Sequence, residues 1–106
     1  MGMQQVNVTV TGDQISVDRD PLNLVGQGRE VEIMWILQTS GWQFTSAGIV
    51  IHNNTNGMFH GGHLAQQNTR FIWIDMNTGG LTYKYAINVT NGVNTLNWDP
   101  SILNDI

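Results

Sequence analysis

The chain has 106 residues, 41% hydrophobic and only 11% charged, with four basic against eight acidic residues and no cysteine. That length supports one packed core and not two. The scattered basic residues exclude a surface for nucleic acid or anionic membrane, and the missing cysteine excludes both a disulfide framework and a thiol nucleophile. A surface rich in Asn, Gln, Thr and Gly but poor in charge fits a chain that buries area against copies of itself, so a homo-oligomer is expected. No basic-then-apolar leader and no bilayer-length apolar run occurs, which points to a cytoplasmic location.

In chain order, Val6, Val8 and Val10 alternate with polar residues, and Ile15 and Val17 follow across Gly12-Asp13. This reads as a hairpin with glycine first in its turn, pairing Val10 with Ile15 and Val8 with Val17 on one face. Residues 18–28, DRDPLNLVGQG, read as a loop that tucks its apolar side chains under a sheet. The run Glu30 to Leu37, EVEIMWIL, predicts a strand entering the core, with Trp35 as an anchor between sheets and Glu30 and Glu32 toward solvent. Trp42 and Phe44 alternate past Gly41, and Ile49 to His52 form another short strand. Asn53 to Gly62 is dense in turn residues and reads as a loop. Thr69 to Asp75 is a strand with Phe71, Trp73 and Asp75 on one face, and Asn77 to Gly80 turns the chain again.

The C-terminal quarter carries the strongest pattern. Tyr83, Tyr85, Ile87 and Val89 alternate into Asn91-Gly92, and Leu96 and Trp98 lead out. With a two-residue type I′ turn at Asn91-Gly92, Ile87 faces Leu96, Tyr85 faces Trp98, and Lys84, the only lysine, faces Asp99. Lys84 and Asp99 then form a hydrogen-bonded pair, the Lys84 main-chain N–H donates to the Asp99 carbonyl, and Pro100 falls where the ladder needs no donor. Short strands punctuated by Gly and Asn, with no amphipathic helical window, predict an all-β fold. The expectation is a single-domain antiparallel β-sandwich over 1–106, immunoglobulin-like or cupredoxin-like, of roughly seven strands.

Three groups of residues bear chemistry. An Asp-Pro bond is unusually labile, because the Asp carboxyl can attack its own main-chain carbonyl through a five-membered ring and the prolyl nitrogen is a comparatively basic leaving group. Held in an attack geometry, such a reaction gains up to about 7–11 kcal/mol of barrier. A donor from Lys84 on the Asp99 carbonyl would stabilise the developing oxyanion, and a deprotonated Lys84 amine could capture the cyclic anhydride. The same residues also fit a plain cross-strand ion pair beside a strand-ending proline. The histidines His52, His60 and His63 could hold a surface zinc ion, but their spacing suits ordinary loop histidines better, so no metal and no cofactor is expected. Asp75 reads either as the residue that ends a strand and starts a turn, or as a buried carboxylate positioning water near the scissile bond.

The stretch TYKYAINVTNGVNTLNWDPSILND resembles the C-terminal pattern of the DP-EP family of small bacterial proteins, named for an acidic residue followed by proline near the chain end. The resemblance implies a β-sandwich that cleaves itself at that bond, can couple a lysine to the new C-terminal aspartate, and self-assembles. The scissile pair would be Asp99 and Pro100, the coupling lysine Lys84, and residues 100–106 a released or retained peptide. Asp75 is the candidate for a water-activating acid. Asp20-Pro21 lies at the wrong end of the chain for this pattern. The sequence thus leads to an autocatalytic, single-turnover endopeptidase, with a non-enzymatic assembly or ligand-binding module as the alternative.

Overall fold

A computed structural model describes residues 2–106 as ten strands in two facing sheets. The strands are β1 (Met3–Thr11), β2 (Gln14–Val17), β3 (Leu22–Asn23), β4 (Val31–Leu37), β5 (Gln43–Ile51), β6 (Phe59–Ala65), β7 (Arg70–Asp75), β8 (Thr82–Thr90), β9 (Thr95–Trp98) and β10 (Ser101–Leu103). One sheet runs β2-β1-β4-β7-β6; the other runs β3-β10-β8-β5, with β9 also paired to β8. The all-β sandwich expected from the pattern is present, with ten strands in place of seven.

The pairing is mixed, which corrects the expectation of antiparallel sheets. β1 lies parallel to β4, and β3 parallel to β10. Parallel neighbours need a crossover and not a tight turn. Here the crossover is the segment between β2 and β4, which leaves the first sheet, adds β3 to the second and returns. The residues that read as a tucked loop are therefore partly strand: Leu22 and Leu24 are fully buried, as the tuck requires, but Val25, expected with them, is exposed.

The first hairpin has the expected pairs, Val10 with Ile15 and Val8 with Val17, and Gly12 takes the positive φ that its turn position demands. β4 alternates strictly, burying Val31, Ile33, Trp35 and Leu37. Trp42-Phe44 and Ile49-His52 are largely one strand, β5, broken in register between Phe44 and Ile49. The glycine-rich HGGH belongs to strand β6 and not to a loop, with its own irregularity between His60 and His63. Gly62 is required there, because a Cβ on it would lie 2.5 Å from the Trp73 indole.

The sheets meet through aromatic side chains. Trp35 from the first sheet donates its indole N–H to the Tyr85 hydroxyl of the second, at 3.0 Å, with ring centroids 5.1 Å apart. Phe59 meets Tyr83, and Phe71 meets Phe44, in edge-on contacts across the same core. Burial pushes the Tyr85 phenol up from its ordinary pKa, so its hydroxyl stays neutral and available as acceptor. Replacing Tyr85 by Phe leaves a buried indole N–H without a partner, which costs about 1–3 kcal/mol. Urea unfolding of Tyr85→Phe should show a loss in that range with an unchanged β spectrum; a loss below about 0.5 kcal/mol would mean the bond is dispensable.

Candidate functional site

β8 organises the site, and the hairpin that follows it has a different turn from the one expected. A type I′ turn needs positive φ at both central residues, but only Gly92 has it; Asn91 does not. Asn91 instead accepts the Val93 and Asn94 N–H groups on its side-chain oxygen, at 2.9 and 2.7 Å, and the Thr90 hydroxyl donates to the Asn94 carbonyl. This Asx-type cap widens the loop to Asn91–Asn94. The register moves by two residues: Val89 now pairs with Leu96 and Ile87 with Trp98. A shift of two preserves the faces, so the apolar side still points inward.

The shift changes what surrounds the Asp-Pro bond. Lys84 pairs with Ser101, Tyr83 with Ile102 and Thr82 with Leu103, so β9 and β10 follow β8 in one continuous register, interrupted at Asp99 and Pro100. The Tyr85 N–H donates to the Pro100 carbonyl at 3.0 Å. Pro100 has no N–H to return, so it occupies a position where the ladder asks for a donor, the opposite of the sequence expectation. The Lys84 backbone faces the other neighbour, its carbonyl accepting the His52 N–H at 2.9 Å. The predicted main-chain bond from Lys84 to Asp99 is therefore absent. In its place the Lys84 ammonium reaches the Asp99 carbonyl at 3.4 Å.

Two further side chains converge here. His52, at the end of β5, sets Nε2 3.7 Å from Asp99 Oδ2. From the other side, Asp20 Oδ1 accepts the Ser101 N–H at 3.0 Å, because the parallel pairing of β3 with β10 draws the Asp20-Pro21 segment alongside. Neither residue was legible as part of this site. The three histidines divide between the sheets, His52 beside Asp99 and His60 and His63 on β6. Among the described residues no group of three or more His, Asp or Glu side chains is arranged for a metal ion.

Asp75 is fully buried, and its contacts lie away from the bond. Its Oδ1 accepts the Asn77 N–H at 2.9 Å and the Asn104 Nδ2 group at 3.0 Å, which ties the end of β7 to the chain beyond β10. None of its hydrogen bonds reaches Asp99 or Pro100. Asn77 extends the knot, donating to the Leu24 and Gly28 carbonyls and accepting the Asp105 N–H. Arg29 donates to the Ile106 carbonyl at 2.8 Å, and Gly80 N–H to the Asp105 carbonyl at 2.7 Å. The segment after Pro100 is thus pinned by Ile102 in the core and by a polar knot at Asn104 to Ile106.

Within that knot, Asp75 Oδ2 and Asn104 Oδ1 are buried acceptors without a donor among the described residues. Burial pushes the Asp75 carboxyl up to about 6, against the pull of its bonds from Asn77 and Asn104. A proton on Oδ2 converts one orphan into a donor, and Asn104 Oδ1 is an acceptor on the residue already bonded to it. The folded protein holds this proton more tightly than the unfolded chain, so the stability it confers is full below about pH 4 and is lost as pH rises through about 6. The difference is on the order of 3 kcal/mol. Asp105 works in a separate window: bonds from the Ile106 and Gly26 N–H groups hold its carboxyl below the ordinary value, and that benefit is lost only below about pH 4. Urea midpoints should therefore fall between about pH 4.5 and about pH 7, and Asp75→Asn should flatten the decline. An equal decline in both proteins would remove Asp75 as its source. The chain matches no protein-family model and no curated protein.

Proposed function

We infer that the chain breaks its own Asp99–Pro100 bond in a single-turnover reaction. The observation that carries this reading is the Lys84 ammonium 3.4 Å from the Asp99 carbonyl oxygen, the atom on which negative charge develops. An Asp99 carboxylate oxygen attacks the Asp99 carbonyl carbon and closes a five-membered anhydride. The carbon–nitrogen bond breaks, and the prolyl nitrogen takes a proton from the Lys84 ammonium or from solvent. Water then opens the anhydride to a C-terminal aspartate. Where Lys84 has given up its proton, its amine opens the anhydride instead and leaves an amide to Asp99.

The surroundings support the same sequence of steps. His52 Nε2 lies 3.7 Å from Asp99 Oδ2, where a protonated imidazole would pair with the attacking carboxylate, and the Tyr85 and Asp20 bonds to Pro100 and Ser101 hold the departing side in place. Holding both sides is what makes an intramolecular attack effective. Asp99 is exposed, so water has access for the second step. Asp75 acts at a distance, by anchoring the tail through Asn104. The resemblance of the C-terminal stretch to the DP-EP family points to the same bond, and its implied self-assembly would let a neighbouring chain's lysine compete for the anhydride.

Intact mass of the denatured full-length chain, followed during incubation at mildly acidic and neutral pH, tests the reading. Loss of the Pro100–Ile106 peptide is expected, with a remainder carrying one added water after hydrolysis or lacking it after capture by Lys84. Because the tail is pinned by Ile102 and Asn104, the native size should not change as the covalent mass does. Asp99→Asn should remain full length. Lys84→Ala should eliminate the amide product and slow cleavage by about tenfold or more, less than the 10²–10³ typical of a buried donor because Lys84 is solvent-exposed. A wild-type mass that never changes would favour a non-enzymatic assembly module.

A further inference from the structure

At the end of the sandwich between the Gly12-Asp13 turn and the β8–β9 hairpin, two clefts of about 430 and 380 Å³ adjoin at Asp13. Ile15 and Trp98 line the first; Trp42 and Leu96 line the second. Trp98 pairs with the buried Ile87, which puts its ring on the inward side of β9, facing the gap toward β2, yet it is 38% exposed. The chain's four tryptophans divide into two kinds. Trp35 and Trp73 donate their indole N–H groups inside the protein, to Tyr85 and to the Ile49 carbonyl. Trp42 and Trp98, the pair in the clefts, have no internal acceptor among the described residues.

The lining repeats this pattern of unused capacity. Asp13, Gln14, Asn94 and Asn97 border the clefts, and among the described residues their side chains make no hydrogen bond to the protein. Three of the four are planar amides that offer donor and acceptor side by side. Asp13 is the only charged residue of the lining, which disfavours an anion, and the polar rim disfavours a purely apolar ligand. A ligand complementary to both features has flat C–H faces for the indoles and adjacent hydroxyls for the amides and carboxylate. We propose that this groove binds a neutral oligosaccharide, with Trp42 and Trp98 against sugar rings and Asp13, Gln14 and Asn94 on their hydroxyls. Every groove residue precedes the Asp99–Pro100 bond, so all of them are present in the intact and the cleaved chain, and the proposal does not rest on the cleavage reading.

The test is calorimetry together with tryptophan fluorescence on the full chain, titrated to millimolar with cellohexaose, laminarihexaose, maltohexaose, xylohexaose, mannohexaose and hexa-N-acetylchitohexaose. At least one should bind and shift the tryptophan emission. Trp42→Ala and Trp98→Ala should each weaken that binding about tenfold or more, while His60→Ala on β6, at the far edge of the first sheet from β2, leaves it unchanged. If a tryptophan variant fails to fold by circular dichroism, Gln14→Ala and Asn94→Ala at exposed positions serve instead, with a loss of about threefold or more expected. The proposal is overturned if none of the six sugars binds, or if binding is indifferent to these substitutions. A dimer that dissolves on Trp98→Ala, with no sugar bound, would assign the groove to a second copy of the chain and overturn it equally.

Discussion

Proline cannot donate a hydrogen bond, and in this chain that deficiency falls in the middle of an otherwise continuous ladder. β8 carries β9 and β10 along one edge in a single register, and Pro100 stands at the point where Tyr85 offers its N–H and receives nothing back. The ladder opens there for two residues. The Asp99-Pro100 linkage is thereby lifted out of regular pairing while both its flanks remain fixed. The linkage joins an exposed Asp99 to a buried Pro100, with the Lys84 ammonium on the Asp99 carbonyl, His52 near the Asp99 carboxylate and Asp20 on the Ser101 N–H. In this register Asp99 lies opposite Ala86, next to the hydrogen-bonded Tyr85–Pro100 pair, so its carbonyl points away from β8 and is open to the Lys84 ammonium.

The fixing of the far flank depends on a second feature, the polar knot under the C-terminal tail. Ile102 contributes apolar burial, but Asp75, Asn77 and Asn104 bring three polar side chains into the interior at the same place. Buried polar groups are tolerable when paired, and most of these are; the two orphan acceptors make the knot sensitive to a proton. The tail's attachment is therefore coupled to pH while the aromatic core is not. Trp35 and Tyr85 hold the sheets together through a bond between neutral groups, the phenol kept neutral by burial.

Patterns of period two were readable along the chain because burial on one face imposes them wherever a strand forms. The first hairpin, the inward set of β4 and the inward set of β8 all follow from that rule, and so does Trp35 as the link between sheets. In the second hairpin the Asn91-Gly92 pair carries two competing signals. Its backbone tolerance suits a type I′ turn, but the Asn91 side chain has a competing use as a cap for Val93 and Asn94, and capping prevailed. The glycines of HGGH suggested a loop for a similar reason. Their small size serves instead to let Trp73 lie over Gly62 within a strand.

By itself the sequence determined the all-β class, the inward faces of the longest strands, and the presence of one lysine and one labile Asp-Pro bond near the same hairpin. These are local properties, set by alternation and by residue chemistry. Only the tertiary structure decided that the lysine reaches the Asp99 carbonyl through its side chain and not its backbone, that His52 and Asp20 arrive from β5 and from the segment before β3, and that Asp75 belongs to the tail. Each of these depends on which strands become neighbours. Neighbours far apart in sequence are chosen by crossovers and by shared burial, and neither leaves a mark on the residues that end up side by side.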